Sequence, residues 1–232
     1  VVYNNGGTLT INDSTLNSKI ISNNEVTINN SVHILNNTSS GIKDDFSGIL
    51  TLNDCNFTYN IGSFAIWGRS NTLNVNDSTI TISHASQYET SIIGISNLNI
   101  NNSTISRTDG NLWYLIDAEN VLVKGNSKII SNTAQAINGT TVIIGEKDGN
   151  VTNYPYITSN GSLGVTATNL YIYDGTINAK KGNTVRGAIK EIEENHEVNI
   201  EYDDNNEKLT LVAPTDVAKI NENKYTSLES AI

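Results

Sequence analysis

A short motif recurs along most of this chain and restricts the folds that it can adopt. Each copy has two apolar residues separated by one polar residue, then a pair that is mostly Asn or Asp, then a second short alternation. The copies are LTINDSTL (9–16), VTINNSV (26–32), LTLNDCNF (50–57), TLNVNDSTI (72–80), LNINNSTI (98–105) and LYIYDGTI (170–177). The first five copies lie 17 to 25 residues apart. Such a period, built of strands and turns, predicts a solenoid in which each repeat packs on its neighbours.

The motif itself predicts two strands joined by a corner. Leu73 and Val75 alternate with polar residues, which is the period of a half-buried strand. Asn76 and Asp77 follow, and these residue types tolerate left-handed backbone angles and form local hydrogen bonds. Ile80 then restores the alternation in a second strand. We therefore expect the corner asparagines of successive coils to stack about 4.8 Å apart, with their amides hydrogen-bonded in a ladder.

A third short strand precedes each new copy of the motif. Its segments are KIIS (19–22), SGIK (40–43), FAIW (64–67), SIIGI (91–95), WYLID (113–117), QAIN (135–138), LGVTA (163–167) and RGAI (186–189). Three short strands in each coil predict an all-β, triangular tube.

These repeats resemble the right-handed parallel β-helix of the pectin-lyase-like fold. More narrowly, the opening VVYNNGGTLTINDSTL resembles the degenerate repeats of adhesin-like surface proteins of bacteria and archaea. The resemblance covers about residues 1–180 and implies a right-handed parallel β-helix. It does not select a function, because this scaffold carries lyases, glycosidases, tailspikes and adhesins.

The composition changes after residue 189, where a small C-terminal module is expected. Residues 198–212 contain two alternating segments, VNIEY and EKLTLV, joined by polar residues, which predicts a hairpin that covers the end of the tube. The final stretch resembles the hairpin and helix that precede a fresh β-helix in repeat-bearing surface proteins, with Leu228 and Ile232 on one helical face. We divide the chain into a β-helix at 1–197 and a C-terminal module at 198–232, and we expect it to be a segment of a longer protein.

The charge and hydropathy of the chain exclude two classes of partner. Asp and Glu number 24 and Lys and Arg 14, and the formal net charge of −10 argues against nucleic acid and against anionic membrane surfaces. The chain has no run of 18 apolar residues, so we expect no membrane insertion. The resemblance implies an extracellular or cell-surface location, and no feature of the sequence calls for a cofactor.

The single cysteine, Cys55, occupies a motif position that other copies fill with serine. We interpret it as a small buried residue. A catalytic thiol would need a histidine partner, and His33 lies one coil away. In that copy, however, we expect Val32 and Ile34 to take the inward positions.

Five aromatic residues are the candidate ligand-binding residues: Trp67, Trp113, Tyr114, Tyr171 and Tyr173. If they face outward, their rings could stack against sugars, since an aromatic face is a large apolar platform with polar edges. The alternative is that some of them fill the tube or cover its side.

The acidic residues offer one weak candidate for a metal site. Asp54 and Asp77 occupy the second corner position in adjacent coils, so their carboxylates would lie about 5 Å apart and would repel unless solvated, protonated or bridged by a cation. We interpret them as a solvated corner. The long coil around 145–162 is expected to form an exposed loop in which binding is a further possibility.

Two functions remain open at this point. The favoured one is a noncatalytic stalk or adhesive segment of a secreted or surface-displayed bacterial or archaeal protein, which binds glycans or a host or partner surface. The alternative is a carbohydrate-active enzyme, a polysaccharide lyase or glycosidase. An enzyme would need charged groups clustered across adjacent coils, yet the segments FAIW, SIIGI, WYLID, QAIN and LGVTA contain one charged residue, Asp117.

Overall fold

The computed structural model describes residues 1–22, 24–44, 48–84, 90–108, 113–132, 134–214, 218–220 and 223–225. All regular structure in these ranges is β-strand. The strands are β1 (Val2–Asn4), β2 (Leu9–Asn12), β3 (Thr15–Leu16), β4 (Ile20–Ser22), β5 (Val26–Asn29), β6 (Val32–Asp44), β7 (Ile49–Asn53), β8 (Asn56–Asn76), β9 (Thr79–His84), β10 (Ile92–Asn101), β11 (Thr104–Arg107), β12 (Tyr114–Lys124), β13 (Lys128–Ser131), β14 (Gln135–Ile144), β15 (Tyr156–Ser159), β16 (Val165–Ile172), β17 (Thr176–Lys180), β18 (Val185–Ile192), β19 (Glu197–Tyr202), β20 (Asn206–Val212), β21 (Ala218–Ile220) and β22 (Asn223–Tyr225).

The first twenty strands form one continuous sheet that winds into a parallel β-solenoid of about six turns. Each coil has three faces, and each face pairs in parallel with the same face of the next coil. The first face contains β2, β5, β7 and the ends of β8, β10, β12, β14, β16 and β18. The second contains β3, β9, β11, β13, β15, β17 and the starts of β6 and β8. The third contains β1, β4, the later part of β6, the middle of β8 and the starts of β10, β12, β14, β16 and β18. The predicted three-strand coil is confirmed.

The corner between the first and second faces has the same backbone conformation in successive coils. Its second residue has a left-handed φ of 44° to 53° at Asp13, Asn30, Asp54, Asp77 and Asn102. In the next coil this position is Gly125, with φ 59°. Asn, Asp and Gly are the residues that tolerate this region, which explains their recurrence in the motif.

The corner asparagines form the expected ladder. Asn29 Nδ2 donates to Asn12 Oδ1 at 2.7 Å, Asn53 Nδ2 to Asn29 Oδ1 at 2.8 Å, and Asn76 Nδ2 to Asn53 Oδ1 at 2.9 Å. Every bond runs from one coil to the preceding one. Asn101 occupies the same register one coil beyond Asn76.

A second ladder lies inside the corner and contains the cysteine. The backbone N–H of Cys55 donates to Ser78 Oγ at 3.0 Å, and that of Ser78 donates to Ser103 Oγ at 3.0 Å. Cys55 is 4% exposed, and its thiol donates to the carbonyl of Ile28 at 3.2 Å. Burial raises the pKa of the Cys55 thiol, so the group stays protonated and serves as a small buried residue, as expected.

Aliphatic side chains fill the tube in continuous columns. On the first face, from β5 to β16, the inward residues are at most 2% exposed: Val26, Ile28, Leu50, Leu52, Leu73, Val75, Leu98, Ile100, Val121, Val123, Val142, Ile144, Leu170 and Ile172. Full burial of a side chain of this size contributes roughly 1.5–3 kcal/mol. The stacked coils thus provide the core that a single coil lacks.

The prediction that Val32 and Ile34 face inward is wrong. They are 37% and 39% exposed, whereas His33 is fully buried. The imidazole is accommodated because both ring nitrogens have partners: Nε2–H donates to the carbonyl of Ser18 at 2.8 Å, and Nδ1 accepts the Tyr59 hydroxyl at 2.9 Å. The coil register places His33 in line with Leu16 and Phe57, and its two hydrogen bonds allow the imidazole to be buried there.

The C-terminal hairpin is present as expected. β19 and β20 are antiparallel, and β20 also pairs antiparallel with β17, the last strand of the second face. Leu209 and Leu211 of β20 are each 2% exposed and join the core. The expected helix with Leu228 and Ile232 lies outside the described residues, and β21 and β22 form a separate two-stranded hairpin.

The ladder predicts a measurable stability contribution at Asn76. Replacing Asn76 with Ala removes the bond to Asn53 Oδ1 and should lower the free energy of unfolding by about 1–2 kcal/mol. Asn12→Ala is the comparison, because Asn12 is exposed at the end of the ladder and water can replace its bond. Chemical denaturation measures both changes, and equal midpoints for Asn76→Ala and the wild type would show that the amide serves only as a turn former.

Burial of His33 predicts acid-sensitive stability. Burial lowers the pKa of His33 in the folded state, whereas the unfolded chain takes up this proton near about pH 6.5. The stabilising contribution is therefore complete above that pH and is lost as the pH falls from there through the folded pKa. Denaturation at a series of pH values should show wild type losing stability faster than His33→Gln below about pH 6.5. Parallel curves for the two proteins would refute this.

Candidate functional site

A groove of about 770 Å³ crosses several coils at the corner between the third and first faces. It runs along the axis of the solenoid, from β8 to the coil that contains β16. Its lining consists of Trp67, Gly68, Ile93, Gly94, Ile95, Ser96, Asp117, Ala118, Glu119, Asn138, Gly139, Thr140 and Thr168.

A line of outward residues, which we call the groove column, contains Trp67, Ile93, Asp117, Asn138 and Thr166; the first four form one wall of the groove, and Thr166 continues the line beyond it. Consecutive members are paired in register across adjacent coils, so their backbones are about 4.8 Å apart. Asn138 Nδ2 donates to Asp117 Oδ1 at 2.7 Å. The coil register thus brings an aromatic ring, a carboxylate and an amide together on one surface.

The depression exists because glycine lines it where the chain turns from the third to the first face. Gly94 has a φ of +75°, and a Cβ at this position would overlap the carbonyl oxygen of Gly68. At Gly139 an added Cβ would lie 2.9 Å from Val142 Cγ2. Backbone therefore forms much of the floor, and a side chain at either position would displace it.

Two acceptors near the groove lack partners in the described part of the chain. Asn71 is 4% exposed, and its Oδ1 accepts no hydrogen bond there. This oxygen lies against Gly68 in the groove lining. Thr166 Oγ1, at the end of the groove column, is also buried without a partner. Such atoms are costly to leave unsatisfied, and they are suited to a ligand or water that donates hydrogen bonds.

Of the predicted aromatic residues, Trp67 lies in the groove. Its ring is half-buried and packs against Phe64, with the ring centroids 5.3 Å apart. Trp113 is 51% exposed and immediately precedes β12, whereas Tyr114 opens that strand. Neither Trp113 nor Tyr114 lines the groove.

The two other predicted aromatic residues lie elsewhere. Tyr171 points outward from the first face, between the buried residues of β16. Tyr173 is 8% exposed at the following corner, and Lys147 Nζ lies 5.9 Å from its ring centroid. Lys147 also forms an ion pair with Glu191 at 2.6 Å, which holds the pKa of Glu191 below its usual value. The five aromatic residues therefore do not form one platform.

Asp54 and Asp77 lie next to each other on the corner, as the motif predicts. Both are exposed, and the backbone N–H of Asp54 donates to the carbonyl of Asn76 at 3.1 Å. Within the described ranges, no three His, Cys, Asp or Glu residues are grouped to hold a metal ion. The pair offers a cation two carboxylates and no third acidic ligand there.

Sequence reasoning missed three buried carboxylates near the C-terminal end. Asp174 accepts backbone N–H groups of Thr152 at 2.9 Å, Asn153 at 2.8 Å and Gly175 at 2.6 Å. Glu193 accepts the N–H of residue 148, and Glu207 accepts the N–H of residue 182 and the hydroxyl of residue 184. Both oxygens of Asp174 and Glu207 and one oxygen of Glu193 accept bonds from the chain itself, so these carboxylates hold loops in place. The sequence signal that could have identified Asp174 is its position in the corner of the last motif copy.

The long coil predicted as an exposed loop is therefore anchored. Asp174 holds residues 152–153, Glu193 holds residue 148, and Lys124 pairs with Glu146 at 2.8 Å. A smaller cavity of about 250 Å³ lies beside this loop and includes Asp174 in its lining. Because that carboxylate is satisfied internally, it is not available to a ligand.

The burial of Arg107 was also not predicted from the sequence. It is fully buried inside the tube, in register with Ile82 on one side and Ser131 on the other. The preceding copies have apolar residues or tyrosine at this position, which indicates an inward position, but the charge of arginine argues against burial there.

No family model matches this chain, and no curated protein or solved structure matches it. In the part of the chain that the structure describes, no helix is long and apolar enough to cross a membrane.

The acidic corner predicts the effect of calcium on stability. If Asp54 and Asp77 are only solvated, millimolar calcium should leave the Tm unchanged, because only binding to the native state raises it. Thermal unfolding with calcium or with a chelator measures this, and Asp77→Asn is the paired variant. A calcium-dependent rise in Tm that Asp77→Asn abolishes would instead establish a cation site.

Proposed function

We propose that this chain is a noncatalytic stalk or adhesive segment of a secreted or surface-displayed bacterial or archaeal protein, and that its groove binds glycans. The single observation that carries the proposal is the groove column, in which Trp67 is aligned with Asp117 and Asn138 across adjacent coils. An aromatic face and nearby hydrogen-bonding groups are the combination that fits a sugar ring, which has apolar C–H faces and a rim of hydroxyls.

The solenoid supports this proposal mechanically. Successive coils are bonded through parallel faces, and the Asn and Ser ladders add side-chain bonds between the N-terminal coils. Groups on different coils therefore keep fixed separations, which suits the recognition of a repeating polymer. The same stacking also provides length, which a stalk requires.

A carbohydrate-active enzyme is the second candidate, and one observation favours it: Asp117 and Glu119 line the same groove. Two carboxylates are the minimum for glycoside hydrolysis. Against this, Asp117 Oδ1 is engaged by Asn138, and the groove lining contains no Lys, Arg or His among the side chains that the structure describes. A lyase would need a base and a means of neutralising the uronate at the reacting centre.

The adhesive proposal predicts that Trp67 carries glycan affinity. Trp67→Ala should weaken binding about tenfold, which corresponds to the loss of about 1.4 kcal/mol of stacking. Trp113→Ala is the matched control, since Trp113 is an exposed tryptophan outside the groove. Affinity electrophoresis against a panel of soluble polysaccharides measures both, with circular dichroism to verify folding. Equal losses in the two variants, or no binding by wild type, would contradict the proposal.

The enzyme alternative is tested on the same panel. Reducing-end and unsaturated-product assays should detect no turnover by the wild-type protein. Turnover that Asp117→Asn or Glu119→Gln abolishes would replace the adhesive proposal with the enzymatic one.

A further inference from the structure

The groove presents two carboxylates, which only accept hydrogen bonds when ionised, and serine and threonine hydroxyls, which both donate and accept. Asp117 has one oxygen bonded to Asn138 and a second carboxylate oxygen beside it, and Glu119 adds an exposed carboxylate. A ligand that satisfies these carboxylates must bring several O–H or N–H donors.

Among the side chains that the structure describes, the groove centre carries two carboxylates and no basic group. Arg186 lies next to the end of the column, in register with Thr166. A polyanion lying along the groove would therefore meet Asp117 and Glu119 at its centre, at an electrostatic cost that a neutral polymer does not meet.

The groove runs along the axis of the solenoid, so the spacing of the coils matters for a ligand that lies in it. The groove column offers one side chain per coil, with backbones about 4.8 Å apart. One sugar unit of an extended polysaccharide is of similar length, so a chain parallel to the axis presents a new set of hydroxyls to each coil. Asp117 and Asn138, one coil apart, can thus contact neighbouring units.

Resting on the glycan-binding function proposed above, we propose that the groove selects neutral, hydroxyl-rich polysaccharides and discriminates against polyanionic ones such as polyuronates and sulfated glycans. Trp67 stacks on a sugar face, and Asp117 and Glu119 accept hydrogen bonds from sugar hydroxyl groups. The carboxylates of Asp117 and Glu119 provide the selectivity for neutral glycans. The Trp67 ring contributes affinity that all glycans share.

The test compares neutral probes, galactomannan and mixed-linkage β-glucan, with the anionic probes polygalacturonate, alginate and heparin. Isothermal titration calorimetry at low and high salt should show binding of at least one neutral probe that is insensitive to salt, and weaker binding of every anionic probe. The double variant Asp117→Asn/Glu119→Gln should lose about tenfold in affinity for the neutral probe, because charged acceptors form stronger hydrogen bonds than neutral amides. The same variant should gain affinity for the polyanions.

Opposite changes in affinity for the neutral and the anionic glycans are the result that the proposal predicts. Asp204→Asn, a substitution of an exposed acid in the hairpin turn, is the charge control and should change neither affinity. Tighter binding of a polyanion than of any neutral glycan, weakened by both Trp67→Ala and Arg186→Gln, would overturn the selectivity while leaving glycan binding by the groove intact. Failure of all probes to bind would overturn both proposals.

Discussion

The parallel hydrogen bonding between coils is the constraint on which the rest of this structure depends. Every strand of an inner coil obtains its backbone partners from the coil before and the coil after it. Unpaired backbone groups are expensive when buried, so each coil must reproduce the outline of its neighbours. The left-handed residue at Asp13, Asn30 and Asp54 fixes one corner of that outline. The Asn and Ser ladders then bond the side chains at this corner from coil to coil along the axis.

Much of this architecture could be predicted because it is local and repeated. The alternation in residues 72–75 specifies a strand, and the pair Asn76 and Asp77 specifies a corner, without knowledge of the remaining chain. The burial of individual polar residues could not be predicted in this way. His33 and Arg107 are buried against a hydrophobic pattern, and for His33 the compensating partner Ser18 is fifteen residues distant. Single-position hydrophobicity has no information about such partners.

The groove was harder to predict than the fold for a different reason. Trp67, Ile93, Asp117 and Asn138 are separated by 26, 24 and 21 residues, and no fixed spacing connects them. Their alignment depends on how many residues each coil has at its corners. Three-dimensional packing determines that number. The sequence could therefore identify Trp67 as an aromatic candidate and Asp117 as an isolated charge, but it could not place them on one wall.

The antiparallel strand β20 has a consequence for assembly. A parallel solenoid has no intrinsic length, because the edge of each coil is a template for another coil of the same direction. β20 reverses that direction along the second face, and the carboxylate of Glu207 fastens the neighbouring turn beneath it. A further coil of the same kind finds no matching edge on this face. The hairpin thus closes one of the three faces to the end-to-end pairing by which repeated coils could extend into a fibril.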